Sequence, residues 1–163
     1  MEDYSERLAE LLRQERELQF TNFSNNTAIK LGQMILSKAF DVGKQITVDI
    51  RKNGMSLFHA KMNENGLGHD RWITRKMNVA HHFEHSSYYI HVLMKSWNTT
   101  VQDNAFVDPM EYAAEGGCFP IFVKGAGMIG TITVSGLEGH EDHEMVVASL
   151  EKLLKEADTF NET

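Results

Sequence analysis

A tight turn between two alternating segments is the feature that most constrains the fold of this chain. Apolar and polar residues alternate over 46–51, and Asn53-Gly54 then supplies two residue types that tolerate positive φ. The segment 55–62 provides the return strand. The spacing predicts an antiparallel hairpin, because a two-residue loop of this kind joins neighbouring strands directly. The expected cross-strand pairs are Ile50 with Leu57 and Val48 with His59.

Sequence periodicity predicts helices and a second pair of strands around this hairpin. Apolar residues recur at helical spacing in several segments, and Ser24, Asn25 or Asn26 provides an N-cap for the second helix. Because short turns join the strands of each pair, we expect an α/β protein of the α+β type, with an antiparallel sheet covered by helices. The predicted helices cover 4–18, the segment from this cap to Gly43, 72–83 with Asp70 as its cap, 87–97, 109–115 and a last helix from about His140; the second strand pair is 119–124 and 128–134.

The composition fits one compact domain and excludes several classes of protein. The chain has 163 residues, and its net charge of −7 has the wrong sign for a nucleic-acid-binding surface. No segment approaches the run of about 20 apolar residues that a membrane span needs. The single cysteine, Cys118, cannot form an internal disulfide, which favours a cytoplasmic location. We expect a single domain over 1–163, with an N-terminal helix (1–19), a main domain (20–158) and a tail (159–163), and neither nucleic acid nor membrane as a partner.

A lysine lies within the apolar stripe of the predicted helix 72–83. At about 100° per residue, Lys76 falls on the same side as Trp72, Val79 and Phe83. A buried ammonium group without a partner costs several kcal/mol, so it must reach solvent along its neighbours, pair with a carboxylate, or face a ligand cavity. The last outcome makes Lys76 a candidate ligand-binding residue.

The start of the last predicted helix carries a second candidate group. Asp142 and His143 project to the same side as the apolar residues of that helix. Both residues also have a purely structural interpretation. Asp142 can be an acidic residue favoured in the first turn of a helix, and His143 can be a core histidine with its hydrogen bonds satisfied. The preceding strand ends in Ser135-Gly136, so a hydroxyl group, backbone amides and a helix N-terminus can meet there as a site for an anion or a carbonyl group.

Three other patterns point away from specific chemistry. His81 and His85 lie one turn apart, but on the polar face of their helix and without a third ligand, so no metal site is predicted; a contact surface between subunits is the alternative. The glycine spacing over 125–130 matches a dinucleotide fingerprint, but it lies inside a hairpin and lacks the following helix. Cys118 has no identifiable base.

Several short segments together resemble one known family. The chain is similar to the haem-degrading or haem-binding domain family typified by the GlcG and HbpS proteins, in particular its shorter, uncharacterised subgroup. The resemblance covers residues 20–158 and implies a profilin-like fold, with a five-stranded antiparallel sheet flanked by helices on both faces, assembled into dimers or larger rings. The matching segments are DRWITRK (70–76), HSSY (85–88), GGCFPI (116–121), GMIGTITVSG (127–136) and DHE (142–144).

The resemblance also implies a pocket between the basic helix, the Gly-Gly turn and the end of the last strand. Haem as a cofactor rests on this resemblance alone, since no residue can be assigned as an axial iron ligand. The positions that the resemblance implies are Lys76, Gly116, Gly117, Pro120, Ser135, Gly136 and Asp142, to which the helical pattern adds Trp72 and His143.

Three functional hypotheses follow. The first is a non-catalytic homo-oligomeric module that binds a small molecule, or haem, in an inner pocket around Lys76. The second is an enzyme that uses Lys76 as a base or imine-forming amine, with Asp142 or His143 handling protons. The third is a scaffold that uses the face of His81 and His85 and the helix 87–97 for partner contact.

Overall fold

The computed structural model describes the backbone of residues 2–161 and the side chains of residues 2–158. The strands come in two consecutive pairs along the chain, and helices precede and follow each pair. The helices are α1 (Ser5–Glu17), α2 (Asn25–Asp41), α3 (Leu67–Phe83), α4 (Ser87–Ser96), α5 (Val101–Ala105) and α6 (Gly139–Asn161), and the strands are β1 (Thr47–Lys52), β2 (Met55–Lys61), β3 (Cys118–Val123) and β4 (Gly127–Ser135).

The strands form one antiparallel sheet in the order β2-β1-β4-β3. The predicted antiparallel α+β architecture is confirmed, but the expectation of five strands is wrong: the sheet that the described residues form has four. Where a fifth strand would extend it, Phe20 alone pairs with the edge of β3, through Phe20 N to Phe122 O and Lys124 N to Phe20 O, both 2.8 Å. Residues 18–24 connect α1 to α2, and among them Phe20 alone forms a bridge to the sheet.

The hairpin of β1 and β2 has the predicted turn but not the predicted register. Asn53 and Gly54 adopt positive φ of 49° and 81°. A β-bulge between Ile50 and Arg51 leaves Leu57 without a partner, so each predicted pair is wrong by one residue. As a consequence, Ser56 lies on the same face of the sheet as His59. The observed pairs are Ile50 with Phe58 and Val48 with Ala60.

The two faces of the sheet differ in chemistry. One face is apolar and packs against α2 and α6, with Ile50, Phe119 and Ile132 fully buried. The opposite face, beneath α3, carries a set of buried polar side chains. Because buried polar groups need partners, this face is where specific interactions concentrate. Its buried polar residues are Thr47, Asp49, Thr131, Thr133 and Ser135.

Local capping explains where the helices begin, and it corrects two predictions. Ser24 caps α2 as expected, and its hydroxyl accepts from Thr27 N. Helix α3 begins earlier than predicted, at Leu67, after Gly66 rather than Asp70. The helix expected over 109–115 is absent, because residues 108–112 form a turn instead. The short helix α5 lies upstream of it, capped by Thr100.

The buried carboxylate of Glu15 joins α1 to the junction of α3 and α4. It accepts hydrogen bonds from His85 Nδ1 at 2.6 Å and from Ser86 N at 2.7 Å. His85 is therefore half-buried under α1, whereas His81 is exposed. The two histidines expected to form one contact face are thus in different environments.

The predicted tail over 159–163 is only partly described. Helix α6 continues to Asn161, and residues 162–163 lie outside the described part of the chain. Within residues 2–161, no helix combines the length and the apolar character that a membrane crossing requires.

We expect Glu15→Gln to weaken the fold mainly at low pH. The hydrogen bond to Glu15 raises the pKa of His85 above its ordinary 6.5, so the ion pair stabilises the fold fully below that pH and the contribution is lost as pH rises through the raised pKa. Solvent screening limits the effect to about 0.5–1 kcal/mol. Urea unfolding at pH 6 and pH 8.5 measures it, with Glu6→Gln, at an exposed position of the same helix, as the control. An equal loss at both pH values would contradict the assignment.

Candidate functional site

A cavity of about 290 Å³ lies where α3, the end of β4 and the start of α6 meet. Trp72 and Lys76 reach it from α3, and Asp142 from α6. Ser135 and Gly136 close it at the end of β4. The polar face of the sheet therefore opens to solvent at this end.

The ammonium group of Lys76 is buried and held by two partners. The residue is 3 % exposed, and its Nζ donates to Val134 O at 3.0 Å and to Asp142 Oδ2 at 2.9 Å. Of the three outcomes that the sequence left open, the group has found a carboxylate, and it also lines the cavity. Snorkelling to solvent does not occur.

The carboxylate of Asp142 is fixed on both oxygens. Its Oδ1 accepts from Leu137 N at 3.0 Å, in the loop that leads into α6. Burial raises the pKa of Asp142 to about 6, although the charge of Lys76 opposes this shift. The group can therefore gain or lose a proton near neutral pH.

Glycine is required where β3 begins beside this ion pair. Gly117 has φ of +133°, and a Cβ there would lie 2.3 Å from Val134 O and 2.8 Å from Lys76 Nζ. A Cβ on Gly116 would lie 2.1 Å from Gly139 O. The Gly-Gly pair thus lets the chain pass close to the ion pair and to the start of α6, and it does not line the cavity.

Nine ligand-binding positions were predicted, and the structure brings five of them to the cavity: Trp72, Lys76, Ser135, Gly136 and Asp142. Gly116 and Gly117 lie behind it, as described above. Pro120 is buried within β3, where it pairs with Thr131.

His143 faces a different environment from its neighbour Asp142. The residue is fully buried, with Nε2 2.8 Å from Gln14 Oε1 and the ring 5.0 Å from that of Tyr88. Burial lowers the pKa of His143 to about 3, so the imidazole is neutral at physiological pH. The two neighbouring residues of α6 therefore face different parts of the protein: Asp142 lines the cavity, and His143 packs under α1.

Ser135 is the most informative of the residues at the cavity. It is 3 % exposed, yet its hydroxyl group has no hydrogen-bond partner among the described side chains and backbone groups. Because Ser135 lines the cavity, this hydroxyl group is available to a ligand.

Several cavity residues were not identified from the sequence. Glu115, Glu138 and His69 also line the cavity, together with Leu137 and Gly139. Sequence position is the only signal that indicates the two glutamates as cavity residues. Glu115 directly precedes the Gly-Gly pair, and Glu138 lies two residues after Gly136. His69 lies in the first turn of α3, which was predicted to begin later.

A second cavity, of about 300 Å³, adjoins the first and shares Trp72 and Glu115 with it. His91 of α4 lines this cavity, and its Nδ1 lies 2.8 Å from Ala114 O. A carbonyl oxygen can only accept, so Nδ1 carries the hydrogen and the neutral ring presents a lone pair on Nε2. Sequence reasoning did not identify His91.

We expect Gly117→Ala to destabilise the protein by at least about 3 kcal/mol, because the new Cβ combines an unfavourable φ with a clash against backbone. Gly125→Ala is a matched control: it also has positive φ, +81°, but nothing lies within 4 Å of its added Cβ. It should cost about 1–2 kcal/mol. Thermal and urea unfolding of both variants provides the comparison, and equal losses would exclude the close approach as the cause.

Comparison with known proteins places this architecture in a family. A family model described as haem-degrading protein HbpS-like matches residues 23–151. A UPF0303 protein of Streptomyces coelicolor is 38% identical over 149 residues, which is 91% of this chain and 94% of that protein. A UPF0303 protein of Psychromonas ingrahamii is 40% identical over 154 residues, 94% of this chain and 96% of that protein.

Solved structures agree with this relationship. The crystal structure of the Ybr137w protein superposes with a TM-score of 0.85 at 33% identity, covering 92% of this chain and 88% of that one. HbpS gives 0.63 at 20% identity (83% and 92% covered), and a PduOC:heme complex gives 0.66 at 14% identity (79% and 93% covered); these two show the fold alone. The chain therefore belongs to the HbpS-like family of haem-degrading proteins, and its near relatives are UPF0303 proteins.

Proposed function

We propose that the protein is a binding module for a small molecule that presents a carbonyl or carboxylate oxygen to the cavity beside the Lys76–Asp142 pair. The observation that carries this proposal is the hydroxyl group of Ser135, which lines the cavity and has no partner among the described residues. An ammonium group has three N–H donors, and the protein uses two of those on Lys76. The third N–H of Lys76 and the O–H of Ser135 thus remain as donors for a ligand oxygen.

The size and the charges of the cavity narrow the class of ligand. A volume of about 290 Å³ lies at the small end of the range for ligand sites. Glu115 and Glu138 add negative charge to the lining, whereas Lys76 is cationic. A small polar molecule with an oxygen acceptor at one end and an amine or hydroxyl donor at the other complements this distribution.

The same geometry disfavours imine formation at Lys76. An imine-forming amine must lose its proton and be free to attack, whereas this ammonium group is hydrogen-bonded to a carbonyl oxygen and a carboxylate. Loss of the positive charge of Lys76 would leave Asp142 buried without a counter-charge. Binding is therefore favoured over catalysis by Lys76.

Haem does not fit this first cavity. His69 Nδ1 accepts from Gly66 N, so the neutral ring carries its hydrogen on Nε2 and has no lone pair free for iron. Glu138 lines this cavity but not the adjoining one, and its carboxylate would repel a propionate group of haem.

The adjoining cavity favours a second candidate function, haem binding, which the PduOC:heme complex supports by similarity of fold. His91 would hold the iron through Nε2, since the other ring nitrogen donates to a backbone carbonyl as metal-bound histidines commonly do. Trp72 and Met94 supply apolar surface, and Arg75 and Lys95 would pair with the propionate groups. A bound haem would supply iron-centred redox chemistry.

We also propose that the protein forms a homo-oligomer. Nine large apolar side chains are exposed among the described residues, and association would remove some of this apolar surface from water. The four most exposed of these are Phe106 (92%), Leu67 (81%), Met110 (75%) and Phe40 (69%).

Native mass spectrometry of protein purified without added cofactor should detect a retained small molecule and give the number of subunits. We then expect Ser135→Ala to weaken binding of small carboxylic acids and carboxamides at least about tenfold, measured by ligand-observed NMR. The stability of the fold should change little, because the hydroxyl group has no partner in the described protein. Ser149→Ala, which removes a buried hydroxyl group bonded to Met145 O, is the control. Unchanged affinity in Ser135→Ala would remove the proposed role.

Lys76→Met alone should cost about 3–5 kcal/mol, because it leaves a buried charge without a partner. The double variant Lys76→Met with Asp142→Leu should recover most of that stability while binding remains lost. This result would separate the contribution of Lys76 to the ligand from its contribution to the fold.

Carboxylate binding should tighten as pH falls through the pKa of Asp142, about 6. Protonation of Asp142 removes the counter-charge of Lys76, so an anionic ligand gains by up to about tenfold per pH unit. Titration of the same carboxylic acids between pH 5 and pH 7.5 measures this effect. In Asp142→Asn the dependence should vanish, and its persistence there would assign it to another group.

Titration with hemin tests the second candidate function. We expect one haem to bind per chain, with a shift of its Soret absorption band. His91→Ala should bind haem at least about tenfold more weakly and should change the haem absorption spectrum. Added imidazole should restore the wild-type spectrum, whereas the exposed-site control His81→Ala should not differ from wild type. Identical spectra for His91→Ala and wild type would eliminate His91 as the ligand.

A further inference from the structure

A groove of about 880 Å³ runs along the side of α3 that faces away from the sheet. The turn over 108–112 forms its second wall. This α3 groove is larger than either cavity described above. Arg71, Trp72 and Arg75 line the wall formed by α3, and Met110, Glu111 and Tyr112 line the wall formed by the turn.

Hydrogen bonds between the two walls fix the shape of the α3 groove. Arg75 Nη2 donates to Pro109 O at 2.9 Å, and Asn78 Nδ2 donates to Glu111 O at 2.8 Å. The guanidinium group of Arg75 also lies over the ring of Trp72, 4.5 Å from its centroid. Because the turn is already held against α3, a molecule that binds in the groove has little backbone to order.

Exposed apolar side chains are concentrated at the α3 groove. Met110 is 75% exposed and Trp72 is 39% exposed, and both line the groove. Leu67, which is 81% exposed, directly precedes Gly68 at the edge of the groove. A partner that covered the groove would therefore remove large apolar side chains from water, which favours association.

The α3 groove carries one unpaired charge of each sign. Arg71 and Glu111 are exposed on opposite walls, and neither side chain forms an ion pair or a hydrogen bond among the described residues. The other acidic residue of the lining, Asp70, already pairs with Lys61. A surface that carries the same two charges in the reverse order complements this groove, and a two-fold axis presents such a surface from a second copy of the chain.

We infer that the α3 groove is a contact surface between two copies of this chain, related by a two-fold axis, in which Arg71 of each copy pairs with Glu111 of the partner subunit. The inference rests on the proposed homo-oligomer and assigns the surface through which it forms. A partner with charge of a single sign would leave either Arg71 or Glu111 without a counter-charge, so a second copy complements the groove better. Trp72 also lines both ligand cavities, so the second copy lies beside them.

Charge reversal in the full-length protein tests this pairing, with self-association measured by sedimentation equilibrium. We expect Arg71→Glu and Glu111→Arg each to weaken self-association at least about tenfold, because either change places two like-charged pairs in the contact. An equimolar mixture of the two variants should recover the affinity of the wild type, since each chain then supplies the charges that the other needs. The double variant should recover it as well. Arg16→Glu, at an exposed arginine of α1, is the control and should associate like wild type.

Recovery in the double variant but not in the mixture would place the ion pair within one chain and overturn the inference. Unchanged self-association in both single variants would also overturn it, while the proposed homo-oligomer would then form through another surface. A wild-type protein that stays monomeric over the whole concentration range would contradict both proposals. Circular dichroism checks that each variant is folded, and carboxylic-acid binding, which depends on Ser135, tests the proposed ligand site separately.

Discussion

The ion pair between Lys76 and Asp142 joins parts of the chain that are far apart in sequence. It joins α3 to α6, and the hydrogen bond from Lys76 to Val134 O joins α3 to the end of β4. Placing these charges away from water is costly, so the surrounding backbone must fit them closely. Gly117 satisfies that requirement, because any side chain there would displace the ammonium group or the carbonyl oxygen that it binds.

Much of this arrangement could be predicted from the sequence. The Asn53-Gly54 turn and the Ser24 cap follow from local chemistry, and helical periodicity placed Lys76 and Asp142 on the inner faces of their helices. Their pairing could not be predicted, because it depends on how two helices 66 residues apart pack on one sheet. The bulge at Leu57 arises in the same way from cross-strand packing, and periodicity alone carries no signal for it.

The polar face of the sheet explains why sites concentrate under α3. When helices cover both faces of a sheet, both faces are usually apolar, whereas here one face carries buried hydroxyl and carboxylate groups. Each end of that face opens into a cavity, one beside Ser135 and the other beside His59. Family membership accounts for the shared architecture, while the chemistry at each end depends on this chain's own side chains.

The single bridge at Phe20 has a consequence for how copies of this protein can associate. By occupying Phe122 O and Lys124 N at the outer margin of β3, it removes part of the template that an incoming strand would need there. The opposite margin, β2, carries Lys61, and a charged side chain discourages strand addition. Neither margin therefore favours growth into a continuous intermolecular sheet, so the surface left for contact between copies is that of the helices and loops.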